Sequence, residues 1–401
     1  MQRKGGVYLC FENRAGNARR RELCMIYRNA TIVDGTGAAP HTADLRTEGD
    51  RIVKIGQGLE GDEALDCTGK ILTPGFVDIH IHGCVGVDTC DGDPQALSKM
   101  AAHLATCGVT AFCPTTMTVS DEEICAAVRT VRAAVENPPA GAVVLGVNME
   151  GPFINPAKKG AQKEEFVRNP SISTFRRYWA ESDGTIKLVD IAPEQPGAHE
   201  FLRGARELCT VSIAHTEANY DQATWSFRHG VTHATHLFNA MPGLTHRAPG
   251  TVGAVFDSSR VTAELICDGF HIHPAALRIA FHQLGAGRIC VISDSMRAAG
   301  MPDGVSELGG QTVFVKNGEA RLADGTIAGS TTNLLKEVQN LVSWGVPIEQ
   351  AVQAASLTPC REIHEDAQRG SLEPGKRADL LVLNAGTLTL QRTVIGGKAV
   401  L

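Results

Sequence analysis

No stretch of this sequence approaches the roughly 20 consecutive apolar residues that a membrane-spanning helix needs, which removes helical membrane proteins from consideration. A basic excess is missing as well: 38 Lys and Arg stand against 44 Asp and Glu, a formal net charge of -6. Such a chain has no broad attraction for nucleic acid or anionic membrane, so a phosphate-bearing ligand has to be held by local groups. The 12 cysteines include no C-x-x-C pair, and zinc-ribbon and thioredoxin readings fall with that spacing. Cys113 in VTAFCPT and Cys290 in RICVIS sit in apolar runs, where a reduced thiol acts as a small hydrophobe. Reduced thiols throughout suit a cytoplasmic setting. Low-complexity runs are lacking too, and no Walker loop occurs. The first 24 residues carry Lys4, Arg14, Arg19, Arg20 and Arg21 around one short apolar patch, without the hydrophobic region of a secretory signal. They read as a poorly ordered extension or an upstream artefact, with a recognisable pattern starting at Met25.

What is present, from Ile71 onward, is an alternation of short apolar strands with helical stretches, the pattern of a parallel α/β architecture. ILTPGFVDIHIHG reads as a strand. Asp93 and Pro94 then supply an N-cap and an N1 proline for a helix ended by Gly108. VTAFCPTT is a second strand, and Ser120 with Glu123 forms a capping box that opens a helix through Val135. AVVLGVNME, IKLVDIAPE, TVSIAHTEA, VTHATHLFNA, VTAELICDGFH and RICVISDS complete a set of eight strands, which favours a closed (β/α)8 TIM-like barrel over an open sheet. The flanks are β-branched and turn-rich. They predict a small β-sandwich domain from residues 25–73 and 371–401, with the catalytic barrel over 74–370.

Reacting groups in such a barrel belong at the C-terminal ends of strands. Five ends carry metal-competent side chains: His80 with His82, Glu150, His215, His236 and Asp294. His-x-His on a strand places both imidazoles on one face, because side chains alternate with period two. A lone histidine is more often a half-buried structural residue, and His41, His103, His199, His229, His282 and His364 take that reading. Six groups on five strand ends do not. They offer imidazole and carboxylate without thiolate, which suits one or two divalent ions, zinc first, with iron, manganese or cobalt as alternatives. Asp294 at the barrel mouth is placed to take a proton from water and pass it to a leaving amine.

The segments GFVDIHIHG, NMEGPFINPAKKGAQ, AHTEA, THLFNAMPGLTHRAPG, CDGFHIHP, SDSMRAAGMPDG, ARLADGTIAGSTTNL and PGKRADLLVLN occur in that order. Together they resemble the successive motifs of the N-acetylglucosamine-6-phosphate deacetylase family of amidohydrolases, from about Met25 to Leu401. That resemblance implies metal-dependent hydrolysis of the acetamido group of a phosphorylated N-acetyl amino sugar. It implies that Glu150, His215 and His236 bind the main metal, with His80 and His82 adding a weaker second site bridged by Glu150. It implies that Asp294 is the acid/base, and that Asn239, Ala240 and His271 contact sugar or phosphate. Arg247 is expected to reach the neighbouring subunit's site in a homodimer. Gln162 stands where many members have a histidine that polarises the acetyl carbonyl; an amide donates a hydrogen bond there but carries no charge. A cyclic-amide hydrolase, or a deacetylase for the galacto epimer, is the rival on the same scaffold, since fold and metals do not fix a substrate.

Overall fold

The computed structural model describes residues 24–400, so the expectation for the first 23 residues lies outside it. Eight parallel strands form the barrel: β1 (Phe76–Ile81), β2 (Val109–Thr116), β3 (Val147–Met149), β4 (Ile186–Ile191), β5 (Thr210–Ile213), β6 (Val231–Ala234), β7 (Thr262–Leu265) and β8 (Ile289–Val291). The ring closes between its first and last strands, where Asp294 N–H donates to the His80 carbonyl and His82 N–H to that of Ser295, each at 2.9 Å. Helices follow the strands. The first, α1 (Pro94–Thr106), is capped by Asp93, whose side chain accepts from Gln95 N–H, and α2 (Asp121–Glu136) opens with the reciprocal Ser120–Glu123 box.

The run ILTPGFVDIHIHG, which reads as a single strand, is divided by Gly75. Lys70–Pro74 pairs with Leu380–Asn384 in the terminal sheet, and Phe76–Ile81 enters the barrel. Glycine is required at the break: a Cβ on residue 75 would meet the Thr110 side chain at 2.1 Å. The terminal sheet also holds Cys24–Ile32, His41–Glu48, Arg51–Gly56 and Leu390–Ile395 over its own core of Tyr27, Leu45, Ile52, Leu72, Leu380 and Val382. The G-x-G-x-x-G spacing at 56–61 falls here, between strands Arg51–Gly56 and Glu63–Asp66. No helix follows it to receive a pyrophosphate, so it is a turn and not a dinucleotide loop.

The barrel interior departs from the branched aliphatic filling usual for this architecture. Asp78, Asn148, Asp190, Ser212, His233 and Glu264 are all buried inside it. Several are interlocked: Asn148 Nδ2 donates to the Ile79 carbonyl at 2.9 Å, and Thr235 Oγ1 donates to Asp190 Oδ1 at 2.8 Å. A polar floor therefore lies under the strand ends. Among the described residues, no helix is long and apolar enough to cross a membrane, and all eleven described cysteines are free.

Candidate metal centre and active site

The strand ends converge on Glu150. Its Oε1 lies 3.0 Å from His215 Nε2 and 3.1 Å from His236 Nε2, and those two nitrogens are 3.2 Å apart. Donors about 2.0–2.2 Å from a tetrahedral ion are separated by about 3.3–3.6 Å, so this triangle is close to one face of such a site. A second triad shares the same carboxylate: His82 Nε2 is 3.2 Å from Glu150 Oε2, and His80 Nε2 is 3.8 Å from Oε1. Asp294 Oδ1 stands 3.3 Å from His82 Nε2 and 3.6 Å from His80 Nε2. All six residues are buried.

Two further contacts test whether these residues fit a cation. The Lys158 carbonyl, 2.8 Å away, can only accept, so His215 Nδ1 carries the hydrogen and its Nε2 lone pair faces the Glu150 carboxylate. His80 likewise commits Nδ1 to Glu264 at 2.9 Å, leaving a buried Nε2 without a hydrogen-bond partner. Lone pairs facing an anion need positive charge between them. The electrostatics agree. Burial works against a charge on His82, yet Asp294 and Glu150 push it up to about 10. Burial also opposes ionisation of Glu150, but the His215, His236 and His82 rings packed against it hold it well below the usual carboxylate range. A field that draws protons onto His80 and His82 draws a divalent ion equally, and the donor set fits one.

The cluster opens into a cavity of about 390 Å³, the size of a small-molecule site, lined in part by Gln162, Asn239, Ala240 and His271. His271 is oriented by Asp268, whose Oδ2 accepts from Nδ1 at 2.7 Å. Asn239 turns its amide back onto the His236 carbonyl at 3.2 Å. Arg247 is not brought to this cavity; it is exposed on the loop between β6 and the helix Gly250–Asp257. Gln162 lines the wall, but both ends of its amide are engaged. Thr118 N–H donates to Oε1 at 2.6 Å, which fixes the amide orientation, and Nε2 donates to Glu150 Oε2 at 2.5 Å.

A family model described as "Amidohydrolase family" matches residues 71–400. The chain belongs to the amidohydrolase family. An N-acetylgalactosamine-6-phosphate deacetylase of Escherichia coli O157:H7 is 39% identical over 82% of this chain and 87% of its own. An N-acetylglucosamine-6-phosphate deacetylase of Bacillus subtilis is 37% identical over 79% and 81%. A Mycobacterium smegmatis N-acetyl-D-glucosamine-6-phosphate deacetylase mutant, solved in complex with N-acetyl-D-glucosamine-6-phosphate, superposes with a TM-score of 0.88. It is 30% identical, covering 95% of this chain and 99% of that one. The motif resemblance thus extends over most of the amidohydrolase's length.

The backbone of this amidohydrolase is unusual where the chemistry converges. His215 (φ 43°), His236 (φ 29°), Ala240 (φ 52°) and Asp294 (φ 47°) all lie in the left-handed region, which costs a non-glycine residue of order 1–3 kcal/mol. Such strain is kept where surroundings over-determine it. At Asp294 they do: Ser330 N–H donates to its carbonyl at 2.7 Å, and Ser330 Oγ donates to the Ser293 carbonyl at 2.6 Å. The AGST segment therefore clamps the SDS segment. Sequence reasoning missed part of the cavity wall, including Lys158, Gly160, Leu308, Thr326 and Ile327. Leu308 belongs to a hairpin, Gly304–Leu308 with Gln311–Lys316, turned by Gly309 and Gly310, both at positive φ. A Gly-Gly pair between alternating segments was the available signal.

Proposed function

We propose that this amidohydrolase removes the acetyl group of N-acetylglucosamine 6-phosphate, giving glucosamine 6-phosphate and acetate. The observation that carries the reading is the buried Glu150–His215–His236 triangle opening into a cavity of small-molecule size. Kinship with deacetylases over most of the chain supports the substrate class. Glu150, His215 and His236 hold the main divalent ion, with zinc first and iron, manganese or cobalt as alternatives; His80 and His82 with Glu150 hold a weaker second one. When bound, such an ion supplies Lewis-acid polarisation of the carbonyl and acidifies water.

The chain's own residues then divide the remaining work. Asp294 takes the proton released as water adds to the acetyl carbon, and returns it to nitrogen as the C–N bond breaks. One water is consumed, a C–O bond forms, and acetate and the free amine leave. Asn239, Ala240 and His271 contact the sugar and its phosphate. Arg247 reaches the neighbouring site in a homodimer, where its fork matches phosphate oxygens; its exposed loop position supports that assignment. Gln162 holds Glu150 in place, since its amide is already committed. The setting is cytoplasmic. The kinship with the galacto-epimer deacetylase favours a second reading, in which N-acetylgalactosamine 6-phosphate is the better substrate. Acetate release from both sugars, with and without phosphate and with metal content measured on the same sample, tests these readings. Failure to release acetate from either phosphorylated sugar in metal-loaded protein overturns both.

A further inference from the structure

Beneath the two triads sits a carboxylate that neither of them uses. Glu264, on β7, is fully buried. Its Oε2 accepts His80 Nδ1–H at 2.9 Å and the backbone N–H of His236 at 3.1 Å. One oxygen thus touches a residue from each triad. The other oxygen lies 3.2 Å from His233 Nε2. His233 is tethered in turn, with Nδ1 2.6 Å from Thr262 Oγ1, which donates to Glu362 Oε2 at 2.5 Å. The Glu264 backbone carbonyl also accepts Leu237 N–H at 2.9 Å, fastening β7 to the turn that carries His236.

The consequence for His80 follows from imidazole chemistry. A neutral ring has one N–H. Giving it to Glu264 at Nδ1 leaves the lone pair on Nε2, the atom that points toward Glu150 and Asp294. Ring orientation and tautomer are both fixed by that single contact, as second contacts to metal-binding histidines generally do. His82 has a weaker arrangement, its Nδ1 lying 3.3 Å from the Thr115 carbonyl.

We propose that Glu264 is a positioning residue that governs occupancy of the His80–His82–Glu150 position and ties it to the backbone of His236. The inference rests on the reading that this triad takes a second ion. Its mechanism is reach, because the oxygen has to sit within hydrogen-bond distance of His80 Nδ1 and His236 N at once.

Reach and charge are separable by two conservative variants. Glu264→Gln keeps the length and an accepting oxygen but loses the charge; Glu264→Asp keeps the charge but withdraws the oxygen by one methylene. Metal equivalents are measured on purified protein. Cobalt(II) titration of chelator-treated protein, followed by visible absorption, then gives the affinity of each step. The wild type is expected to take two equivalents. Glu264→Gln should hold the second ion within about tenfold of wild type, and Glu264→Asp should lose about 10–100-fold in that step while keeping the first. Retention by Asp with loss by Gln overturns the inference, because charge would then be decisive. Equal loss or equal retention in both variants overturns it too. A wild type that binds one equivalent only refutes the two-ion reading itself, and the role of Glu264 with it.

Discussion

Asp294→Asn separates holding the metal from moving the proton. The main triangle of Glu150, His215 and His236, with edges of 3.0–3.2 Å, contains no atom of Asp294. Asparagine matches aspartate in shape, and it is one of the few residues that enter the left-handed region readily, as φ 47° requires. The clamp from Ser330 N–H to the residue 294 carbonyl is a backbone contact and survives the change. Folding and main-site metal content should therefore stay near wild type. Turnover should not. Positioned general acid/base catalysis contributes roughly 10²–10⁴-fold, and Asp294 is assigned both the uptake and the return of the proton, so kcat should fall at least that far with KM little changed. The assay is kcat on the phosphorylated N-acetyl sugar beside metal analysis of the same preparation. A variant that keeps its metal and more than about a tenth of the rate, well short of that range, would place the acid/base elsewhere.

Arg247→Ala should raise KM for the 6-phosphorylated sugar far more than for the unphosphorylated one, since the guanidinium is assigned to phosphate; equal effects on the two sugars in steady-state kinetics would refute the role. Gln162→Leu leaves Thr118 N–H and Glu150 Oε2 without their partner, so main-site metal affinity should fall about 10–100-fold in competition with a chelator, and unchanged affinity would count against a positioning role. His82 is pushed up to about 10, so in chelator-treated protein it carries a proton at pH 8 that an incoming ion must displace. Calorimetry in buffers of different ionisation enthalpy should register proton release, and affinity should weaken as pH falls. Asp190 is pushed up to about 7, mainly by burial, with Glu150 and Glu264 adding to it. Below the unfolded value of 3.8 both states hold the proton; between there and about 7 only the folded state does, so stability falls as pH rises and the cost is complete above 7. That cost has a ceiling of about 4 kcal/mol. Asp190→Asn should stabilise metal-free protein at pH 8 by about 2 kcal/mol, allowing for a buried amide left partly unpaired, with the gain vanishing below about pH 4 in denaturant melts.

Local rules were enough for much of this molecule. The Asp93 and Ser120 caps, the alternation of eight strands with helices, and the same-face placement of His80 and His82 need only dihedral sterics, side-chain periodicity and capping chemistry, all of which act within a few residues. The motifs carrying Glu150, His215, His236 and Asp294 stand at strand ends, which a barrel brings to one mouth, so their gathering could be expected from order alone. Tertiary packing decided the rest. The left-handed backbone of His215, His236 and Asp294 is unfavourable locally and persists through contacts such as Ser330 N–H on the Asp294 carbonyl, 36 positions away in sequence. Gln162 reads as a group facing substrate, and it does line the cavity; only packing adds that Thr118 N–H fixes its amide and turns it onto Glu150. Glu264, inside an otherwise apolar-looking VTAELIC segment, signals nothing by itself. Only closure of the barrel places that carboxylate in a dry interior, where an unpaired charge is costly and its contacts to His80, His236 and His233 determine what it does.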